Sequence, residues 1–221
     1  SSHIGDVDTI ILAPDVSPDD LLVNRFSDGY GYNHLWLGIR RNDGYSASDT
    51  LVIQNFFLSR DDTYRVEQVK FGDGTIWTAA DLNVKADTGN DSANTLNGNI
   101  LDDTLDGGGG NDTLKGFAGN DTYLFGLGYG TDQIFETNVA GGTVDTVKLG
   151  VGIVPDNVTL YQNGNTLVLK LENSTVDELN INSFFVDTSN GQPFDNKIEK
   201  LVFDDGTVWD LVTIKSKIIY Q

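Results

Sequence analysis

The sequence predicts an all-β fold in which a coiled repeat fills the middle of the chain and two related β-rich segments flank it. Three observations carry this prediction. Similar stretches occur near both ends, nine-residue units rich in Gly, Asn, Asp and Thr lie between them, and apolar residues in the flanks alternate at a period of two. No segment shows a sustained helical stripe with caps, although Ala79-Ala80-Asp81-Leu82 suits a short turn of helix.

Composition narrows the function. The 221 residues include 14 Lys plus Arg and 33 Asp plus Glu, for a formal net charge of -19. Such a surface repels phosphate backbones and anionic lipid, so neither nucleic-acid binding nor membrane docking is expected, and cations are the natural partner. The longest apolar runs, such as Ile10 to Ala13, are far too short to cross a bilayer. With no Cys, disulfide frameworks, thiolate metal sites and Cys nucleophiles are excluded. With no Met and no signal peptide at the start, the chain reads as an excised or processed piece, Ser1 to His3 being left from a tag.

The first flanking segment is placed at residues 1–87. Leu35, Leu37 and Ile39 alternate with Trp36 and Gly38, as expected of a strand packed on at least one face. Asp73-Gly74 sits between apolar runs and suits a type I′ hairpin turn, in which both central residues take positive φ.

The middle segment is placed at residues 88–136. Laid out in nines, its units begin at Gly89, Gly98, Gly107 and Gly116, and after a two-residue slip at Phe125 to Leu127 the alternation resumes from Gly128. Leu96, Leu105, Leu114 and Tyr123 fall nine apart, which a flexible linker has no reason to maintain. The unit Gly107-Gly108-Gly109-Gly110-Asn111-Asp112-Thr113-Leu114-Lys115 fits Gly-Gly-x-Gly-x-Asp-x-U-x at every fixed position, U being a large apolar residue. An EF-hand is excluded by spacing: Asp102, Thr104, Asp106 and Gly107 resemble its opening, but the twelfth position is Thr113 rather than Glu.

The second flanking segment is placed at residues 137–221 and repeats the first. Gly142-Thr143-Val144-Asp145-Thr146-Val147 matches Gly5-Asp6-Val7-Asp8-Thr9-Ile10, and Asp177-Glu178-Leu179 with Phe184-Phe185 matches Asp49-Thr50-Leu51 with Phe56-Phe57. Phe203-Asp204-Asp205-Gly206-Thr207-Val208-Trp209 matches Phe71-Gly72-Asp73-Gly74-Thr75-Ile76-Trp77. The paired Trp and Phe residues are expected to pack in or cap the core, closing the ends of the coil.

The middle segment resembles the calcium-binding nonapeptide repeats of RTX proteins, and the flanks resemble the haemolysin-type calcium-binding-related segments that accompany them. Residue logic agrees with the resemblance. The glycine-rich six residues make a turn whose carbonyl oxygens converge without Cβ obstruction, and the next three form a short strand. Two nonapeptides then complete one coil of a short parallel β-roll, flanked and capped by the two related β-rich segments. Coils stacked at the strand spacing of about 4.8 Å place each Asp beneath the turn above it. That oxygen-rich setting suits Ca²⁺ better than Mg²⁺, which is strictly octahedral.

The expected ligands follow from this register. Asp103 and Asp121 lie on one side and share one ion, while Asn94, Asp112 and Asp132 on the other hold up to two more, giving about three Ca²⁺ ions. Asn94 lacks charge and Leu101 replaces a turn glycine, so their sites are the weaker ones. The resemblance implies that backbone carbonyls of Gly107, Gly109, Gly116 and Ala118 complete the set.

No catalytic group is assembled from His3 or His34, and His34 reads as a surface or loop residue. The acidic pairs Asp19-Asp20, Asp61-Asp62 and Asp204-Asp205 recur in turn contexts and read as structural rather than as glycosidase carboxylates. The leading expectation is a non-catalytic, calcium-dependently folding structural module of a secreted or cell-surface RTX protein, a large adhesin or toxin. An accessory module that binds a glycan or peptide at Tyr30, Tyr32, Trp36 and Tyr45 is the rival, and the non-catalytic tail of a secreted enzyme is a third. No export signal is evident after Asp210, so an internal piece is expected. Whether the flanks pack on each other across the roll or continue it in line is left open by the sequence.

Overall fold

Both flanking copies turn the same apolar pattern into the same order of elements, and the nonapeptides supply a strand every nine residues. The computed structural model describes residues 7–27, 33–41, 44–54, 56–57, 66–136, 144–186 and 197–220. They belong to two units, 1–86 and 87–221.

The first unit contains β1 (Thr9–Ile11), a 3₁₀ turn at Pro18–Asp20, β2 (Leu21–Ser27), β3 (Asn33–Arg41), β4 (Gly44–Ile53), β5 (Gln68–Lys70), β6 (Ile76–Thr78) and helix α1 (Ala79–Ala86). β2, β3 and β4 form an antiparallel meander, while β1 pairs in parallel with β5, which pairs antiparallel with β6. Leu35, Leu37, Phe56, Val69, Phe71 and Leu82 form its buried core.

The second unit opens with the repeat strands β7 (Thr95–Asn97), β8 (Thr104–Asp106), β9 (Thr113–Lys115), β10 (Thr122–Phe125) and β11 (Thr131–Phe135). The second copy follows as β12 (Thr146–Leu149), a 3₁₀ turn at Pro155–Asn157, β13 (Val158–Asn163), β14 (Thr166–Leu171), β15 (Glu178–Asn182), β16 (Lys200–Val202), β17 (Val208–Asp210), α2 (Leu211–Lys217) and β18 (Ile218–Ile219). Alternate repeats go to opposite walls. β7, β9 and β11 stack in one parallel ladder, and β8 and β10 in another.

Register keeps the apolar residue of every strand inside. Leu96 lies beside Leu114 and Leu114 beside Ile134 on one wall, with Leu105 beside Tyr123 and Tyr123 beside Val147 on the other. All of these but Leu96 are fully buried, and Leu96 nearly so. The second copy continues the roll in line: β12 adds in parallel to β10, and β15 adds in parallel to β11. The walls become a five-stranded sheet, β17-β16-β12-β10-β8, and a seven-stranded sheet, β18-β13-β14-β15-β11-β9-β7. That settles the open question of sequence for the second copy.

Three local expectations need correction. The Asp73-Gly74 and Asp205-Gly206 hairpins are not type I′, because only the glycine takes positive φ, 92° at Gly74 and 84° at Gly206. Each is a three-residue loop: Gly74 donates its N–H to the Phe71 carbonyl, and Asp73 Oδ1 accepts the Thr75 N–H at 2.8 Å, so the aspartate stabilises the turn without left-handed backbone. The short turn at Ala79 is a full helix, α1, and α2 repeats it. Local capping starts both, through reciprocal Thr78 and Asp81 hydrogen bonds in α1 and through Asp210 Oδ1 accepting the Thr213 N–H in α2. His34 is buried within β3 rather than lying on a surface or loop.

The repeated aromatics pack in the same way twice. Phe71 and Trp77 meet edge to face at 4.7 Å, as do Phe203 and Trp209 at 4.7 Å. Lys85 Nζ then covers the Trp77 ring at 4.0 Å, and Lys217 Nζ covers Trp209 at 4.4 Å, fastening each helix onto its hairpin.

Candidate metal centre

The turns come first, because they aim the carboxylates. In the units that begin at Gly107 and Gly116 the backbone is left-handed at the second and fourth places: φ is 78° at Gly108, 122° at Gly110 and 133° at Gly119. A Cβ at Gly119 would lie 2.4 Å from the Leu101 carbonyl oxygen of the preceding coil, so stacking requires glycine there. Phe117 holds φ 71° at the second place of its unit, a conformation that costs an L-residue about 1–2 kcal/mol.

The carboxylates of Asp112, Asp121, Asp132 and Asp145 each reach back one coil. On one side, Asp121 Oδ1 accepts the Asp103 N–H at 2.8 Å and Asp145 Oδ1 accepts the Asp121 N–H at 2.8 Å. On the other, Asp112 Oδ1 accepts the Asn94 N–H at 2.7 Å and Asp132 Oδ1 accepts the Asp112 N–H at 2.8 Å. Asp177 closes that side, taking the Gly130 N–H at 2.7 Å on Oδ1 and the Gly128 N–H at 2.9 Å on Oδ2.

The second oxygens are the informative ones. Asp112, Asp121 and Asp132 are buried, and Oδ2 of each has no hydrogen-bond donor. A buried carboxylate oxygen without a donor is costly unless a cation answers it. Burial is also the main reason that Asp121 and Asp132 are each pushed up to about 7, reinforced by Asp103, Asp145 and Asp102 around the first and by Asp112, Asp177 and Asp106 around the second. In both, the backbone hydrogen bond on Oδ1 acts in the opposite direction. Asp112 is raised by the same burial, opposed by its Asn94 hydrogen bond and aided by Asp106. In Asp177 burial is outweighed by the two glycine N–H groups and Ser174, and its carboxyl is held low.

The structure places the sequence-predicted ligands as follows. Asp103 and Asp121 share one side, and Asn94, Asp112 and Asp132 the other. Asn94 Oδ1 is turned onto its own loop, where it accepts the Asn90 N–H at 2.7 Å, and Asp103 Oδ2 likewise accepts the Asn99 N–H at 2.6 Å. Gly107 and Gly116 abut the carboxylates: a Cβ on either would come within 2.3 Å of Oδ2 of Asp112 or Asp121. Gly109 and Ala118 lie in the turns, half-buried, with the Ala118 N–H donated to the Asn99 carbonyl. The two-residue slip is absorbed by a fourth residue in β10, Phe125, and by a tight turn in which Tyr129 donates to the Gly126 carbonyl.

Sequence reasoning missed three residues. Asp145 and Asp177 belong to the second copy: Asp145 continues one Asp ladder, and Asp177 closes the other from two residues out of register, on the Gly128 and Gly130 N–H groups. Glu136, just past β11, accepts a hydrogen bond from the buried Tyr123 hydroxyl, and oxygens of Asp121, Glu136 and Asp145 lie within 4.8 Å of one another. Asp145 carried a signal, since Asp145-Thr146-Val147 shares the Asp-Thr-apolar pattern of Asp103, Asp112 and Asp121. An all-oxygen, carboxylate-rich, buried donor set is what a hard divalent cation such as Ca²⁺ requires. Of the aromatics suggested for ligand stacking, Trp36 lies folded over Gly38, while Tyr30, Tyr32 and the Tyr45 side chain lie outside the described residues.

Comparison with known proteins places the middle of the chain among calcium-binding repeats. The RTX calcium-binding nonapeptide repeat (4 copies) matches residues 86–122 and 97–132, and the haemolysin-type calcium binding protein related domain matches 42–92 and 167–213. The iron-regulated protein FrpA of Neisseria meningitidis serogroup C is 34% identical over 93 residues. That match spans 42% of this chain and 8% of the relative.

Proposed function

We propose, for a chain that carries RTX calcium-binding nonapeptide repeats between two haemolysin-type calcium-binding-related domains, that it is a calcium-dependently folding structural module of a secreted bacterial protein, a large adhesin or toxin. Its role is non-catalytic. The observation that supports this reading most is the trio of buried, donorless oxygens on Asp112, Asp121 and Asp132.

The chain's own residues explain the calcium dependence. Asp103, Asp121 and Asp145 stack on one side, and Asp112, Asp132 and Asp177 on the other, so like charges accumulate along the coil. The turns around Gly108, Gly110 and Gly119 cost more ordering entropy than any other residue type would. Bound Ca²⁺ supplies the positive charge that this arrangement lacks, and binding is thereby coupled to folding. We assign about three ions, with Asp103 and Asp121 on one side and Asn94, Asp112 and Asp132 on the other, completed by carbonyls of Gly107, Gly109, Gly116 and Ala118. Affinity matched to extracellular calcium leaves the chain unfolded inside the cell and folded outside it, as secretion in an unfolded state requires.

Circular dichroism and melting in EDTA against millimolar Ca²⁺ test the reading. A gain of β signal and a higher melting temperature with Ca²⁺ are expected. Equal spectra and equal melting temperatures would reject it.

A further inference from the structure

The two copies are alike in sequence and element order but differ in what lies against them. In the second copy β12 lies between β16 and the roll strand β10, and β15 lies between β14 and the roll strand β11. The equivalent strands of the first copy are β1 and β4. Among the described residues each is the edge of its sheet, β1 beside β5 alone and β4 beside β3 alone.

The local frame around these edges is the same in both copies. Asp8 donates its N–H to Glu67 Oε2 at 2.6 Å and its carbonyl accepts the Glu67 N–H at 3.0 Å. Asp145 does the same with Glu199, at 2.8 and 3.0 Å. Yet Asp145 is fully buried against the roll, and Asp8 is exposed. Leu179 is 1% exposed where β11 covers it, whereas its counterpart Leu51 is 46% exposed. Both edges also carry the Asp-Thr-apolar signature of a roll strand, Asp8-Thr9-Ile10 and Asp49-Thr50-Leu51.

We infer that β1 and β4 of the first copy form a receiving face for the last coil of a second nonapeptide roll, supplied from upstream in the same polypeptide, with Asp8 and Asp49 in the places that Asp145 and Asp177 take in the second copy. The occupant is a nonapeptide coil because that is what the identical frame holds elsewhere in this chain. The source is upstream because β12 is entered directly from β11, and β1 stands where β12 does. In the second copy the edge is sealed by Thr146 and Gly150, which donate to the carbonyls of Asp121 and Phe125 at 2.8 and 2.9 Å. The equivalent donors are Thr9 and Ala13. The segment is thus an adaptor that ends one roll and leads into the next.

The test extends the full chain by placing residues 88–137 ahead of Ser1, so that Ser1 to Ile4 stand for residues 138–141. Amide hydrogen exchange is then followed at Thr9 and Ala13 in millimolar Ca²⁺, with Thr146 and Gly150 as the internal control. Slowing at Thr9 and Ala13 of about tenfold or more relative to the unextended chain is expected. A Leu51→Lys substitution should abolish that slowing while leaving the melting of the unextended chain unchanged. Unchanged exchange at Thr9 and Ala13 beside a protected control would overturn the inference, and so would slowing seen only in a dimer. Loss of protection at Thr146 and Gly150 too would instead reject the calcium-folding reading, so the two failures are distinguishable.

Discussion

Asp103 donates its backbone N–H to Asp121 Oδ1 at 2.8 Å, and the two residues are one full coil apart. The bond fixes one carboxylate oxygen as a rung of the stack and leaves Oδ2 directed at the buried space beside Gly116. Asp112 repeats this geometry from Asn94, leaving its own Oδ2 without a donor. A single side chain therefore joins coil stacking to cation binding, and calcium and fold should be lost together.

Asp112→Ala should raise the calcium concentration needed for folding far more than Asp91→Ala. Asp112 is buried on the ladder, whereas Asp91 is exposed and outside it. Removing one charged ligand interaction of about 1.5–3 kcal/mol corresponds to a shift of about tenfold or more in the midpoint. Calcium titrations followed by circular dichroism decide it, and equal midpoints for the two variants would reject this register.

Asp145→Ala should weaken calcium-induced folding although Asp145 lies outside the repeats. It accepts the Asp121 N–H and brings an oxygen within 4.8 Å of Asp121 and Glu136. An effect comparable to that of Asp112→Ala is expected in the same titration. A wild-type midpoint would limit the site to the nonapeptides alone.

The spacing of nine was enough to place Asp103 over Asp121 and Asn94 over Asp112, because both pairs are eighteen apart and a coil is two units long. It did not reach Asp145, which lies 24 residues beyond Asp121 across a segment that keeps no period. Asp145 was legible only through its Asp-Thr-apolar context. Glu136 gave no signal at all, since its place depends on the buried Tyr123 hydroxyl that holds it. The flanks were legible as a duplication because matching motifs recur in the same order, with Phe71 and Trp77, and Phe203 and Trp209, each six residues apart around an Asp-Gly turn, although the loops between motifs differ in length. Of their helices, α1 was legible only as a turn at Ala79 to Leu82 and α2 not at all, because both are too short for a stripe and depend on capping by Asp81 and Asp210.

Gly119→Ala should destabilise the calcium-loaded protein by about 2 kcal/mol or more, against about 1 kcal/mol for Gly164→Ala. Gly119 has φ 133° and no room beside Leu101, whereas Gly164 has φ 58° in an open hairpin turn with nothing within 4 Å of an added Cβ. Thermal melts in saturating Ca²⁺ measure the difference. Equal losses would show that coil stacking does not constrain the turn glycines.

Acid should favour the calcium-free fold and oppose calcium. Asp121 and Asp132 titrate near 7 in the folded, metal-free chain, mainly because they are buried, against an ordinary value of 3.8. Between those values the folded state holds more protons than the unfolded state, so its stability falls as pH rises through that window. The penalty is absent below about 3.8 and complete above about 7. Calcium binding must displace the same protons, so its affinity moves the other way and improves with rising pH. In EDTA the melting temperature at pH 5 should exceed that at pH 8, while the calcium midpoint at pH 5 should lie above that at pH 8. Asp121→Asn with Asp132→Asn should flatten both dependences. An EDTA melting temperature that rises from pH 5 to pH 8 would contradict the assignment of these two carboxylates as the groups that make the fold depend on calcium.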